Sequence, residues 1–577
     1  MPSQLAINQG PQDSLLYASD KSYFSNVGYT RTSNFQMEFR DVDPQNSPNF
    51  GATVQFVIPP AADLLGPVDL MVDLGPCTPP PGSSDHKRTY AAWVETLGYA
   101  MIEHMTFSVG SHAIERLTGD QMNIMNELMR TDGQRQGKGV GKTGKGALEL
   151  SVGATGAHPI GFNQAGRLIQ IGATTIADWA AYGEHRTHAM PGKKLIVPLN
   201  FFFTKNAAQY FPLAAVNGCN EVRVTIKFRP LNELLVVGYW AFNNASDTEG
   251  GLVTQYKLPS SVTDWSGMYD DVAKAPSWTG SPMTRCALRC HYVHLTGPEA
   301  NLISNQEHVR LLKLWQTNSK LVSIGGTAGA TTGYIKLAEI DLSMLHPVQE
   351  LIITIRKTSE MNSSTTAEKV DAGSKDQKAM GKNYFAYQGG GHDPNVESWQ
   401  NRCFAEDPNW PAGTGHWKEG EAVPLEPGYC DNYLTVSDFK LTLNGQERHP
   451  ALASSGLDRD YMMNRLLPML HSNASEYYKD IFAGDAPDAN QPSSAHRYMH
   501  QMLDRKEIYV YPFCINPEGH NPSGAVNFSK VSHAKLTISG TAHFSANHSS
   551  EEYVVDVHGV HYNWLQIKDG RALTSFA

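Results

Sequence analysis

One stretch of this chain returns later with the same punctuation: the run from Lys194 to Ile226 is echoed from Lys506 to Ile538. The first copy opens Leu-Ile-Val-Pro-Leu-Asn-Phe from Leu195, and the second opens Ile-Tyr-Val-Tyr-Pro-Phe from Ile508. Both pass through a Pro-containing loop to an Ala-Val-Asn triplet, at Ala215–Asn217 and Ala525–Asn527, and both end in a strand-like alternation carrying Thr-Ile, at Thr225–Ile226 and Thr537–Ile538. A second echo lies upstream in each half. Phe107–Gly110 leads to Glu115 and Arg116, while Leu441–Gly445 leads to Glu447 and Arg448. The order is kept and the loop lengths differ, as expected of two diverged copies of one domain. A solenoid or propeller needs many short units, so a single large duplication is the reading.

Length agrees with that division. At 577 residues the chain exceeds what one hydrophobic core organises, and two domains plus loops fit. Hydrophobic residues make up 41% and charged residues 18%, enough for an ample core in each half. The formal charge of -10 argues against a surface built to neutralise phosphate, so no direct nucleic-acid contact is expected. Met1 to Tyr17 lacks a cationic start followed by an apolar run, and does not read as a secretory signal. Apolar stretches such as Leu234 to Ser246 fall short of the roughly 20 residues a membrane helix needs. The cysteines, Cys77, Cys219, Cys286, Cys290, Cys403, Cys430 and Cys514, are too few and too irregular for a disulfide scaffold. A soluble, intracellularly made protein is the expectation.

Strand signals dominate. Val54, Phe56 and Ile58 recur at every second position, as do Val222, Val224, Ile226 and Phe228, with Arg223, Thr225 and Lys227 between the latter. Short strands broken by Gly and Pro predict an all-β sandwich or barrel in each half. Two short helices are predicted, Asp120 to Met129 with Met122, Met125 and Met129 on one face, and Asp460 to Leu470. Three long interruptions, about 131–166, 243–283 and 356–432, read as surface elaborations. Leu234 to Trp240 reads as an apolar loop after the linker Pro230–Leu235.

Chemistry-bearing motifs fail on spacing. Gly137–Thr143, with Lys142, resembles a phosphate-binding loop, yet the required glycine five residues before Gly141 is Gln136 and no buried strand precedes it, which leaves a flexible basic surface loop. Duplicated barrels that are enzymes, the bicupins, need a His-x-His pair followed by Glu, and no His-x-His occurs. The pairs His185/His188, His291/His294 and His558/His561 are spaced at three, on opposite faces of a strand, and read as structural. Cys286 and Cys290 share a face but lack a second pair. Asp458/Asp460 and Glu551/Glu552 read as solvated turns, and no nucleophile elbow or zinc-protease helix appears. Sequons at Asn244, Asn362, Asn473, Asn527 and Asn547 carry little weight without a secretory route. No catalytic residue, cofactor site or metal site is expected.

The residues do resemble a family. Trp93–Glu103, Phe107–Gly110 with Ile114–Arg116, and Val197–Val216 look like the first jelly roll of the major capsid proteins of nucleocytoplasmic large DNA viruses, of the phycodnavirus and iridovirus kind. Leu345–Glu350, Asn444–Arg448 and Tyr509–Ser529 are similar to the second. The resemblance implies two tandem antiparallel eight-stranded jelly rolls with long loop insertions and a few short helices. It divides the chain into an N-terminal arm at 1–26, a first jelly roll at 27–229, a linker and surface insertion at 230–284, and a second jelly roll at 285–577 with its insertion at about 356–432. It further implies a homotrimer forming a pseudo-hexagonal capsomer, which tiles an icosahedral shell against neighbouring capsomers, with minor capsid proteins and an internal membrane beneath. Outer loops would face the host, and the protein would be made in host cytoplasm and end in the virion. A glycan-binding or carbohydrate-active double jelly roll is the alternative, raised by Trp399, Trp410 and Trp417 in the long insert.

Overall fold

The structure is a computed structural model describing residues 34–576 except 79–87, 95, 130–159, 163–167, 171–191, 217–220, 243–251, 256–276, 279, 329, 359–383, 386, 388–432, 449–455, 472–506 and 545–548. The alternation seen in sequence translates directly into sheet. In Val222–Phe228 the four apolar side chains are buried while Arg223, Thr225 and Lys227 are half-buried, so one face of the strand is committed to a core.

Sixteen strands build two barrels. The first uses β1 (Phe35–Val42), β2 (Thr53–Ile58), β3 (Leu64–Leu74), β4 (Ile102–Val109), β5 (His112–Thr118), β6 (Lys193–Pro198), β7 (Val222–Phe228) and β8 (Met283–Leu295). The second uses β9 (His308–Gly325), β10 (Thr331–Asp341), β11 (Pro347–Lys357), β12 (Tyr433–Leu443), β13 (Gln446–Glu447), β14 (Ile508–Pro512), β15 (Ala534–His543) and β16 (Ser550–Lys568). The first barrel's sheets run β1-β8-β3-β6 and β2-β7-β4-β5, and the second barrel's run β9-β16-β11-β14 and β10-β15-β12-β13. Every pairing is antiparallel, and adding eight to each strand number converts one barrel into the other. The duplication inferred from short echoes is therefore a duplication of the whole topology. The Gly110 and Gly445 echo has a local cause. Both sit in tight hairpin turns, β4–β5 and β12–β13, at φ 60° and 81°, and Asn444 beside the latter is at φ 50°.

A single apolar cluster runs through both barrels, from Phe56, Phe107 and Ile226 in one to Ile352, Phe439 and Ile538 in the other. In the first, Phe107 meets Phe201, Phe203 and Phe211 with ring centroids 5.5, 4.9 and 5.2 Å apart, so the echoed Phe-rich loop packs into the core of its barrel.

Three expectations change. The division that began the second jelly roll at 285 separates β8 from its sheet; Met283–Leu295 pairs with β1 and β3 and closes the first barrel. Its long alternation looks the same from sequence whichever barrel it joins, and only partner register decides. Leu235–Phe242, expected as an apolar loop, is a strand between Arg88–Trp93 and Leu252–Gln255. The insertion does not begin at Arg356, because β11 continues to Lys357 and Arg356 is buried. Both helices are present. The helix α1 spans Gly119–Leu128, capped by Thr118 in a reciprocal box with Gln121, and a helical run covers Arg459 to Leu470 with a wider turn at Met462–Leu466. No helix among the described residues is long and apolar enough to cross a membrane.

Candidate functional site: the seam between the barrels

Where the barrels meet, the chain buries charge. Asp120, in the first turn of α1, lies 3.5 Å from Arg356 at the end of β11, and Arg356 also pairs with Asp556 on β16. Tyr387 donates its hydroxyl to Asp120 at 2.8 Å and accepts from Asn123 Nδ2 at 3.3 Å. The His558 ring stands with Nε2 3.4 Å from Asp120, and its Nδ1 pairs with Thr317 Oγ1 at 2.8 Å; that hydroxyl accepts from Gln121 Nε2 at 3.0 Å. Asp120, Asn123, Arg356, Asp556 and His558 are all buried. Burial alone would push the Asp120 carboxyl up, but Arg356, His558 and Tyr387 outweigh it and hold it well below the ordinary carboxylate range. Arg356 is held in its charged form by Asp120 and Asp556 against the same burial.

A second layer flanks this cluster. Tyr384 donates its hydroxyl to Glu233, and the Arg229 guanidinium sits 3.8 Å over the Tyr384 ring. Tyr384, Phe385 and Tyr387 fall within the stretch 356–432 that reads from sequence as a surface elaboration. They pack instead into the shared cluster at the seam. Nothing in the sequence flagged this, since each partner lies far along the chain, with 267 positions between Tyr387 and Asp120.

Two further buried polar sites belong to single barrels. Glu115, one of the echoed residues, accepts from Phe202 N–H at 2.8 Å and fixes the Phe loop to β5; burial raises its carboxyl to about 7. In the second barrel His471 lies 3.0 Å from Glu350 and 3.5 Å from Glu518, and these carboxylates raise its ring to about 9 although burial alone would lower it.

The residues weighed for chemistry do not converge. Cys286 and Cys290 share the core face of β8, and burial pushes both thiols up to about 12, the behaviour of packed apolar groups. His291 and His294 pair singly with Asp69 at 3.4 Å and Glu38 at 3.0 Å. His558 joins the seam, and His561 stacks on His346 at 5.2 Å. Asp458 caps the helical run through Tyr461 N–H, and Glu551 pairs with Lys357 at 3.7 Å rather than standing in solvent. Asn527 caps a short turn through Ser529 N–H. The 137–143 loop, His185 and His188, the other four sequons and the insert's tryptophans lie outside the described residues. Among the described residues no group of three potential ligands is placed to hold a metal.

Two like barrels in tandem, welded through a buried ionic seam, make this a double jelly-roll protein. Residues 22–269 match the family described as major capsid protein N-terminus. The chain is 24% identical to the major capsid protein of Phaeocystis pouchetii virus over 97% of this chain and 96% of that one, and 21% identical to that of Pyramimonas orientalis virus over 97% and 95%. The same fold is found in the PBCV-1 virus capsid (TM-score 0.51, 16% identity, 96% of this chain and 100% of that one) and in the Faustovirus major capsid protein (TM-score 0.54, 11% identity, 95% and 93%). Along nearly its whole length, the chain is thus similar to major capsid proteins of large DNA viruses.

Proposed function

We propose that three copies of this chain form a pseudo-hexagonal capsomer, six like barrels in a ring, and that such capsomers tile an icosahedral shell. The observation carrying this reading is the strand-for-strand equivalence of the two barrels, which lets three chains present six near-identical units to their neighbours. We divide the chain accordingly, with the first barrel ending at Leu295 and the second beginning at His308, joined by the helix α2 (Gly297–Asn305). The segment before β1 would face minor capsid proteins and a membrane beneath the shell, and the long insert after β11 would face the host. The chain works without a catalytic, metal or cofactor site, by contact alone, and assembles in host cytoplasm.

Native mass spectrometry of the purified full chain tests the reading. A trimer at micromolar concentration is the expected result; a monomer that instead binds immobilised glycans would return the glycan-binding alternative.

A further inference from the structure

We infer that the last strand of the chain is a strap on the second barrel, held shut by a buried histidine pair and released by acid. The inference stands apart from the capsomer reading and would hold equally for a monomer. After β16 the chain reverses at Asp569 and Gly570, at φ 50° and 75°, and returns as β17 (Arg571–Thr574). This strand pairs with β16 from Lys568↔Arg571 to Leu565↔Thr574 and buries Ala572 in the core. Beyond it, Ser575 N–H donates to the Trp564 carbonyl at 2.8 Å. Asn563 clasps Phe576 at both backbone groups, donating from Nδ2 to its carbonyl at 2.7 Å and accepting its N–H at Oδ1 at 3.2 Å.

The Phe576 ring then tops a stack of two imidazoles. It lies 5.9 Å from His346, which in turn lies 5.2 Å from His561 and within 27° of parallel to it. His346 holds this place at φ 66°, a left-handed conformation that is costly for a residue with a side chain. His561 is buried, and its Nδ1 has no hydrogen-bond partner among the described residues. Leu314 from β9 and Val348 from β11 face it across the sheet and carry no charge, so His346 is the titratable group set against it. A protonated His561 would therefore hold an N–H without an acceptor and a charge without a counter-ion. Burial first, and then His346, push its ring down to about 4.

The duplication supplies an internal comparison. His561 faces Val348 and Leu314, and Cys290 faces Val68 and Arg40 at the same points of the first barrel. Packing at this position thus asks for no histidine: the first barrel fills it with a thiol that burial pushes up to about 12 and so keeps neutral. The first barrel also lacks the strap, because β8 runs on into α2 instead of turning back. Histidine and strap occur together in the second barrel alone.

The sign follows from the two states of the ring. Closed, it titrates below its ordinary 6.5, and released into water it regains that value, so the closed strap is insensitive to pH above 6.5 and loosens as pH falls toward 4. Between pH 7.5 and pH 5 the open fraction should rise about 30-fold. Hydrogen exchange of the purified full chain tests this, read as protection factors, which divide out the intrinsic pH dependence of exchange. Wild type should lose about 30-fold protection across Arg571–Phe576 over that interval, while β7 in the first barrel keeps its own. His561→Leu and His561→Gln cannot titrate, and each, once circular dichroism shows it folded, should hold the same protection at both pH values. A wild-type change below about threefold, an equal loss in β7, or a loss in a folded variant as large as that of wild type overturns the strap. Should neither variant fold, the wild-type comparison against β7 decides by itself.

Discussion

Asp120 and Arg356 show what a single residue does in this molecule. Removing one member of a buried pair leaves the other desolvated and uncompensated, a loss of about 3–5 kcal/mol. Arg356 keeps Asp556 when Asp120 is lost, so Asp120→Asn should cost about 3 kcal/mol, the lower end of that range, in urea unfolding. A cost below about 1 kcal/mol, the scale of exposed ion pairs, would mean that the seam is wet. His471 makes a prediction in pH. Its ring is raised to about 9 in the folded chain by Glu350 and Glu518, against about 6.5 unfolded, so its contribution is complete below pH 6.5 and is lost as pH rises through 9. The fall should be on the order of 3 kcal/mol. His471→Gln should flatten it; a variant with the wild-type slope between pH 6.5 and 9 would assign that slope elsewhere.

At the scale of elements, close approach between strands sets the limits. Gly540 in the central strand β15 faces β12 so tightly that an added Cβ would stand 2.0 Å from the Thr435 carbonyl oxygen and 2.9 Å from Leu337 Cδ1. Backbone cannot yield as a side-chain tip can, and Gly540→Ala should destabilise by about 1–3 kcal/mol or more. Unchanged thermal stability of that variant would place β12 further away. The alternation in β7 and the echo around Gly110 and Gly445 were legible in sequence because each is local, a period of two or a turn that needs positive φ. The seam was not. Hydropathy reads Arg356 as the start of a polar insert after Leu351–Ile355, since a buried cation at a strand end looks like a solvated one until its partners are known. Asp556 lies 200 positions away. α1 was placed almost to the residue from Met122, Met125 and Met129, but its burial on every side comes from the second barrel and leaves no periodic trace. The same holds for β8, whose sheet depends on a partner, β1, at the far end of the barrel's sequence.

At the scale of the whole molecule, the two barrels are equivalent in strand order but unequal in exposure. Limited proteolysis of intact particles should cut first within the long insert after β11, if that insert forms the outer surface of the capsomer. Protection there, with cleavage confined to the segment before β1, would invert the orientation of the subunit.

The seam has a calorimetric consequence. Because one apolar cluster spans both barrels and the first half holds a buried charge, Asp120, whose partners Arg356, His558 and Tyr387 all lie in the second, neither half should melt while its twin stays native. Heating should give a single cooperative endotherm whose calorimetric and van't Hoff enthalpies agree, although two duplicated domains would ordinarily be expected to melt in two steps. Two resolved peaks would show that the halves are merely neighbours. The first half expressed by itself should misfold, with Asp120 stranded in an apolar wall.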